Sequence, residues 1–277
     1  MAGAKRALCV GINQFKNYPG AQLNGCVNDV ASMQDMLVKY LGFPAENIQT
    51  LTDAQATKAK VMGALGKLVD AAVAGKVSHL VFSISSHGTQ VPDLNDDEAD
   101  NADEAFCMHD LAEKNGEWDR DRVIVDDELR ALFAKVPKTV LVECFFDTCH
   151  SGTGLKALDL IPTRKPRWLP PPTPIAIDNM TGRSAPGLRK RLDDAGIDHA
   201  ILWAACKSSQ TSADAKIGKA YAGAFTYYLT ARIKTAKGQI KRSDLLKQVR
   251  DDLKANRYTQ VPELNSDRAT KTRQLGT

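Results

Sequence analysis

Two short stretches of this 277-residue chain place side chains capable of covalent chemistry directly after apolar runs. HLVFSIS leads into Ser86-His87-Gly88-Thr89, and VLVECFF leads into Asp147-Thr148-Cys149-His150-Ser151-Gly152. A thiolate is a strong nucleophile, and an imidazole beside it can take up a proton and pass it to a leaving amine. Gly88 lets the backbone approach a substrate closely. Its amide, with that of Cys149, could form an oxyanion hole, worth about 3 kcal/mol per donor. Taken singly, a His after a buried strand is most often structural, and a Cys in an apolar run is most often core packing. Their joint occurrence, 62 positions apart and each followed closely by glycine, reverses that preference. Zinc competes for the adjacent Cys149 and His150, but neighbouring ligands fit tetrahedral coordination poorly and no other Cys/His pair has ligand spacing.

The elements that must position these residues are legible from periodicity. Arg6–Ile12, Ile48–Leu51, His79–Ser85, Thr139–Phe146 and Ala200–Ala205 read as short strands, mostly buried on both faces. Between them lie helix-period segments: about 28–41, a helix capped by Thr57, one opening at Asp126/Asp127, about 222–234, and 243–254. Alternation of this kind predicts an α/β fold with a mostly parallel central sheet and helices on both faces. In such sheets the crevice lies beyond the carboxyl ends of the strands, where His87 and Cys149 would emerge together. The forty residues after Gly152, with PRWLPPPTP among them, read as a linker.

Composition narrows the class of function. Hydrophobic residues make up 43% and charged residues 25%, ordinary for a globular protein, and the net charge of +4 is too small to argue for nucleic acid. No run of about 18 apolar residues is present, so no membrane partner is expected. Six separate cysteines without an export signal predict reduced thiols and a cytoplasmic location. GxxxxGK[ST] and a strand-linked GxGxxG are both missing, which leaves nucleotide binding without support.

The ordered segments ALCVGIN, LNGCVNDV, SSHGTQ, DLNDDEADNADEAF, IVDDEL, FFDTCHSG and CKSSQTSADA resemble the metacaspases, including their bacterial relatives, within the caspase-type cysteine peptidases. The resemblance covers most of the chain. It implies a three-layer, caspase-like sandwich with a large-subunit-like region over 1–155, a linker over 156–198, and a small-subunit-like region over 199–277, all in one joint domain. It implies Cys149 as nucleophile and His87 as base, with a pocket for a basic side chain built from Cys26, Asp29, Ser85 and Asp147. Two carboxylates would pair with a guanidinium and repel an acid, so cleavage after Arg or Lys is expected. The family pattern also implies a monomer, and no proline-rich segment precedes the first strand.

Seven carboxylates between Asp93 and Glu104 would repel one another unless solvated or met by cations, and hard oxygen donors suit calcium. The resemblance places calcium ligands at Asp103, Asp126 and Asp127; the family's fourth acid aligns with Lys156, and Ser86 stands where the family has glycine. No obligatory cofactor is implied, and calcium is the one candidate activator. Lys156, Arg164, Lys165, Arg167, Arg183, Arg189, Lys190 and Arg191 would give a peptidase of this specificity substrates in its own linker. Two other readings stay open: a related peptidase of the same clan with another specificity, separase-like or legumain-like, and a catalytically silent, calcium-responsive interaction module.

Overall fold

Near-continuous apolar runs can be buried only inside a sheet covered on both sides, and that is where the structure, a computed structural model, puts them. It describes residues 3–92, 102–149, 163–173, 199–207 and 210–277. In chain order the elements are β1 (Ala4–Gly11), α1 (Cys26–Leu41), β2 (Ile48–Thr52), α2 (Lys58–Val73), β3 (Val77–Ser85), β4 (Gly88–Pro92), β5 (Ala102–Cys107), β6 (Glu113–Lys114), β7 (Glu117–Trp118), β8 (Val123–Val125) and α3 (Asp126–Phe133). There follow β9 (Leu141–Asp147), β10 (Arg164–Pro166), β11 (Ala200–Ala204), β12 (Ala213–Ile217), β13 (Ala220–Gly223), α4 (Ala224–Thr235), α5 (Arg242–Ala255), β14 (Glu263–Asn265) and α6 (Arg268–Thr272).

Six strands make the central sheet in the order β14-β11-β9-β3-β1-β2. All its neighbours pair in parallel except β14, which runs antiparallel to β11. Alternate residues of each strand feed opposite layers. Leu8, Val10, Leu80 and Phe82 join Val61, Leu65, Leu129 and Phe133 in one core, facing α2 and α3. Ala7, Cys9, Val81 and Trp203 join Met33, Leu37, Phe225 and Leu245 in the other, facing α1, α4 and α5. The helices are therefore on both faces, as the alternation predicted. Thr57 caps α2 by accepting from the Lys60 amide at 3.4 Å. Among the described residues no helix is long and apolar enough to cross a membrane.

The polar stretch after His87 carries more order than periodicity alone revealed. β4, β5 and β8 form a small antiparallel sheet, and β10, β12 and β13 form another. Part of the expected linker is thus a strand: Arg164, Lys165 and Pro166 pair with Ala215, Asp214 and Ala213. Three consecutive residues are too short a run to show a period.

One buried charged group ties the last third of the chain to the sheet. Glu143 of β9 is wholly buried and accepts from Arg242 Nε at 2.9 Å and from Trp203 Nε1 at 3.0 Å, with His79 Nε2 3.6 Å away. Burial pushes the Glu143 carboxyl up, but the His79 contact and the Arg242 guanidinium outweigh it and hold the group down at about 2. Because the folded value lies below the unfolded one of about 4.3, this stabilisation is complete above that pH and is lost as pH falls towards 2. Glu143→Gln leaves the Arg242 charge buried without its partner and should cost about 3–5 kcal/mol. Calorimetry should then show melting lowered by roughly 10 °C; a shift of only a degree or two would mean that Arg242 finds solvent.

Candidate functional site

β3 and β9 lie side by side and in parallel, with Ser85 opposite Asp147. Two residues further on, at the same rim of the sheet, come His87 and Cys149. Gly88 opens β4 directly against the second of them: a Cβ there would lie 1.6 Å from the Cys149 carbonyl oxygen, so no other residue fits. The Gly88 and Cys149 amides both donate to one oxygen, the backbone carbonyl of Arg167, at 3.0 and 3.2 Å. The two expected oxyanion donors thus converge on a peptide carbonyl of the chain itself.

The His87 ring is buried, with Nε2 2.7 Å from the Ala21 carbonyl and Phe15 packed against it at 5.2 Å. A carbonyl only accepts, so Nε2 carries the proton and Nδ1 keeps its lone pair. Among the described residues Nδ1 has no hydrogen-bond partner. Burial, helped by the positive charges of Arg167 and Lys165, lowers the His87 pKa to about 4 against the opposing effects of Ala21 and Asp214. At neutral pH the ring is uncharged and able to receive a proton. Cys149 Sγ receives the Ser212 amide in a close contact and stands 3.5 Å from the Ser212 carbonyl. Trp168 packs over both Cys149 and Cys206. The Cys206 thiol is pushed well up, first by its hydrogen bond with Cys149 and then by burial.

Arg167 runs from that carbonyl into a buried acidic pocket. Its Nη2 is 2.7 Å from Asp29 Oδ2 and 3.2 Å from Asp214 Oδ1; its Nη1 is 3.2 Å from Asp147 Oδ1 and 3.0 Å from the Asp147 carbonyl. Three buried carboxylates around one guanidinium need further donors, and helix N-termini supply them. Asp147 Oδ2 accepts from the Thr226 amide at 3.0 Å and hydroxyl at 2.7 Å in the first turn of α4, and Oδ1 accepts from the Ser212 hydroxyl at 2.6 Å. Asp214 accepts from the Asn24 and Gly25 amides at 2.8 Å ahead of α1, and Asp29 accepts from the Gly223 amide at 2.9 Å. Burial raises the Asp29 carboxyl to about 6, with Arg167 pulling it back and Asp147 adding to the rise. Gly223 must be glycine, since a Cβ would lie 2.2 Å from Asp147 Oδ2.

Of the expected pocket residues, the structure brings Asp29 and Asp147 onto the guanidinium, sets the buried Cys26 thiol within its electrostatic reach, and keeps Ser85 buried in register with Asp147. Three participants escaped the sequence reading. Asp214 stands inside CKSSQTSADA, where its acid character was the one available signal. Ala21 and Ser212 act partly through backbone atoms, which residue type does not advertise. Of the basic linker residues, Arg164, Lys165 and Arg167 are described; Lys156, Arg183, Arg189, Lys190 and Arg191 lie outside the described residues, as does His150.

Of the three expected calcium ligands, Asp103 and Asp127 lie within electrostatic reach of Asp126. Asp103 is bonded by the Arg120 guanidinium, and Asp127 by Arg130 at 2.8 Å. Asp126 is buried, and that burial together with the Glu104, Asp103 and Asp127 carboxylates pushes its pKa well up. Among the described residues no three His, Cys, Asp or Glu side chains converge to hold a metal. The acids from Asp93 to Asp100 lie outside the described residues.

A sequence profile described as "Metacaspase, peptidase C14 domain" matches residues 5–159. The chain is 32% identical to metacaspase-1A of Aspergillus fumigatus over 95% of its own length and 68% of that protein. It is 32% identical to metacaspase-1 of Emericella nidulans over 95% of its own length and 70% of the relative. Its fold matches the crystal structure of a protein from Geobacter sulfurreducens with a TM-score of 0.69 and 26% identity, covering 99% of this chain and 98% of the other. Caspase-1 from Spodoptera frugiperda matches with a TM-score of 0.60 at 12% identity, over 96% and 87% of the two chains, a likeness of fold alone. The three-layer caspase-like α/β architecture is therefore shown.

Proposed function

Since this chain belongs to the metacaspase family of cysteine-type peptidases, we propose that it cleaves peptide bonds after Arg or Lys, with Cys149 as nucleophile and His87 as base, and that its first substrate is its own Arg167–Trp168 bond. One observation carries this reading: the Arg167 carbonyl lies between two amide donors while its guanidinium fills a pocket of three acids. A peptide substrate needs both contacts at once.

In the proposed reaction Cys149 sulfur bonds to the Arg167 carbonyl carbon, and the thiol proton goes to His87 Nδ1. The oxygen, now negative, is held by the Gly88 and Cys149 amides. The carbon–nitrogen bond to Trp168 then breaks as His87 returns the proton to the departing amine. Water, deprotonated by the same nitrogen, attacks the thioester, releasing the Arg167 carboxylate and restoring the thiol. Until the segment leaves, Arg167 blocks the pocket, so the uncut chain is latent towards other substrates. All six cysteines are unpaired, which suits a reducing compartment such as the cytoplasm.

A panel of fluorogenic peptides differing only in the residue before the cut bond tests the proposal on the wild-type protein. Arg and Lys peptides should be hydrolysed at least about a hundredfold faster than the Ala peptide, and the Asp peptide not at all, given the worth of buried charge-assisted pairs. Equal turnover of Ala or Asp peptides would sink the basic specificity. The same assay carries a pH signature. Asp29 stands at about 6 with a guanidinium in the pocket, and without that cation to pull it back it takes up a proton at higher pH, so KM for Arg peptides should climb as pH falls towards about 6 and level off below it. Parallel runs with calcium chloride and with a chelator read whether Asp103, Asp126 and Asp127 confer dependence on the metal.

A further inference from the structure

Three residues before Arg167 the same segment makes a second cationic contact that the chemistry above does not use. The Arg164 guanidinium lies 3.8 Å over the centre of the Tyr258 ring. Its Nη1 donates to the Arg257 carbonyl at 2.7 Å and its Nη2 to the Asn256 carbonyl at 2.9 Å. A planar cation on an aromatic face with two aligned acceptors is a matched set.

The receiving surface is built by the end of α5 rather than by a loose loop. The Tyr258 amide bonds back to the Leu253 carbonyl at 2.9 Å and the Arg257 amide to the Lys254 carbonyl at 3.0 Å, closing the helix in a Schellman turn. Arg257 takes the left-handed position of that turn at φ 59°, a conformation costly for a residue with a side chain. The outcome is a pair of carbonyls at the negative end of a helix, aimed at the bound cation. Tyr228 packs edge-on against Tyr258 at 6.1 Å and steadies the ring. Delivery is equally fixed. Arg164 pairs with Ala215 in the β10–β12 ladder, and the Lys216 amide donates to the Thr163 carbonyl at 3.1 Å. Any peptide that adds to β12 in this register brings its residue three before the cut position to Tyr258. Between the two sites, Lys165 only extends to the Gln22 carbonyl at 3.0 Å and stays exposed.

The geometry points to a second cation-binding subsite, formed by Tyr258 and the Asn256 and Arg257 carbonyls, that selects substrates with Arg three residues before the basic residue at which they are cut. This rests on the reading that Arg167 occupies the position of the cut residue. Lysine would bind less well, because an ammonium cannot lie flat on the ring while reaching both carbonyls.

Three capped peptides with a fluorogenic leaving group separate the two ideas: Arg-Lys-Pro-Arg, Ala-Lys-Pro-Arg and Arg-Lys-Pro-Ala. With wild type, kcat/KM for the first should exceed that for the second about tenfold. That ratio should fall to within twofold of one in Tyr258→Leu and persist in Tyr258→Phe, which keeps the ring. Being internal to each protein, the ratio is insensitive to partial misfolding. A wild-type ratio near one, or a ratio undiminished in Tyr258→Leu, overturns the subsite. Arg-Lys-Pro-Ala turned over as fast as Arg-Lys-Pro-Arg would overturn instead the basic specificity at the cut position. If wild type turns over none of the three, both readings fall.

Discussion

Purified Cys149→Ala protein should remain a single 277-residue chain under conditions in which wild type resolves into pieces ending at Arg167 and starting at Trp168. The expected contrast is large because the neighbouring thiol, Cys206, is held well above its ordinary pKa and is a poor substitute for the Cys149 sulfur. Loss of a nucleophile in a comparable hydrolase costs on the order of 10⁶ in turnover, which takes an hour-scale event beyond observation. The bond is singled out by geometry, since the Arg167 carbonyl already accepts from Gly88 and Cys149. Mass spectrometry of the fragments reads the position directly. Identical fragmentation of wild type and Cys149→Ala, or cutting confined to other linker residues, would defeat the proposal. Arg167→Ala should suppress this cut as well, and it leaves Asp29, Asp147 and Asp214 without the cation that offsets their repulsion.

The second large effect is expected at Asp147, the acid most fully tied into the pocket. It accepts from Ser212 and from the amide and hydroxyl of Thr226 and forms an ion pair with Arg167, and its own carbonyl takes a bond from that guanidinium. Asp147→Asn keeps the shape but removes one of three charges, and an amide NH2 would face either the guanidinium or the helix amide. About 2–3 kcal/mol of the interaction with an Arg side chain should disappear, roughly a hundredfold in kcat/KM for Arg peptides and chiefly through KM. Preference for Arg over Ala before the cut bond should shrink by the same factor. Preference unchanged in Asp147→Asn would mean that Asp29 and Asp214 suffice for recognition.

The local sequence carried a good part of this site for a simple reason. In a parallel sheet the functional rim lies just past each strand, so finding the strands finds the neighbourhood of His87 and Cys149. HLVFSIS and VLVECFF could be read as buried strands from composition alone, and β3 and β9 hold those segments side by side. Asp29 and Asp147 were legible as acids beside a helix start and a strand end. Asp214 was not. Its carboxylate reaches the amides of Asn24 and Gly25, 190 and 189 residues away, and no local pattern encodes a contact across that separation.

By itself, then, the sequence determined the layered α/β architecture and the arrival of a thiol and an imidazole at neighbouring strand ends, both of which follow from residue type and short-range period. The acidic pocket for a basic side chain was an expectation from the family resemblance. Only the tertiary structure decided which of eight basic linker residues enters the pocket. That choice depends on β10 pairing with β12 in one register, which sets Arg167 between the amides and Arg164 on Tyr258. It also decided the tautomer of His87, through the backbone oxygen of Ala21. Strand pairing and carbonyl direction are properties of chain placement, and an alanine supplies the same carbonyl as any other residue.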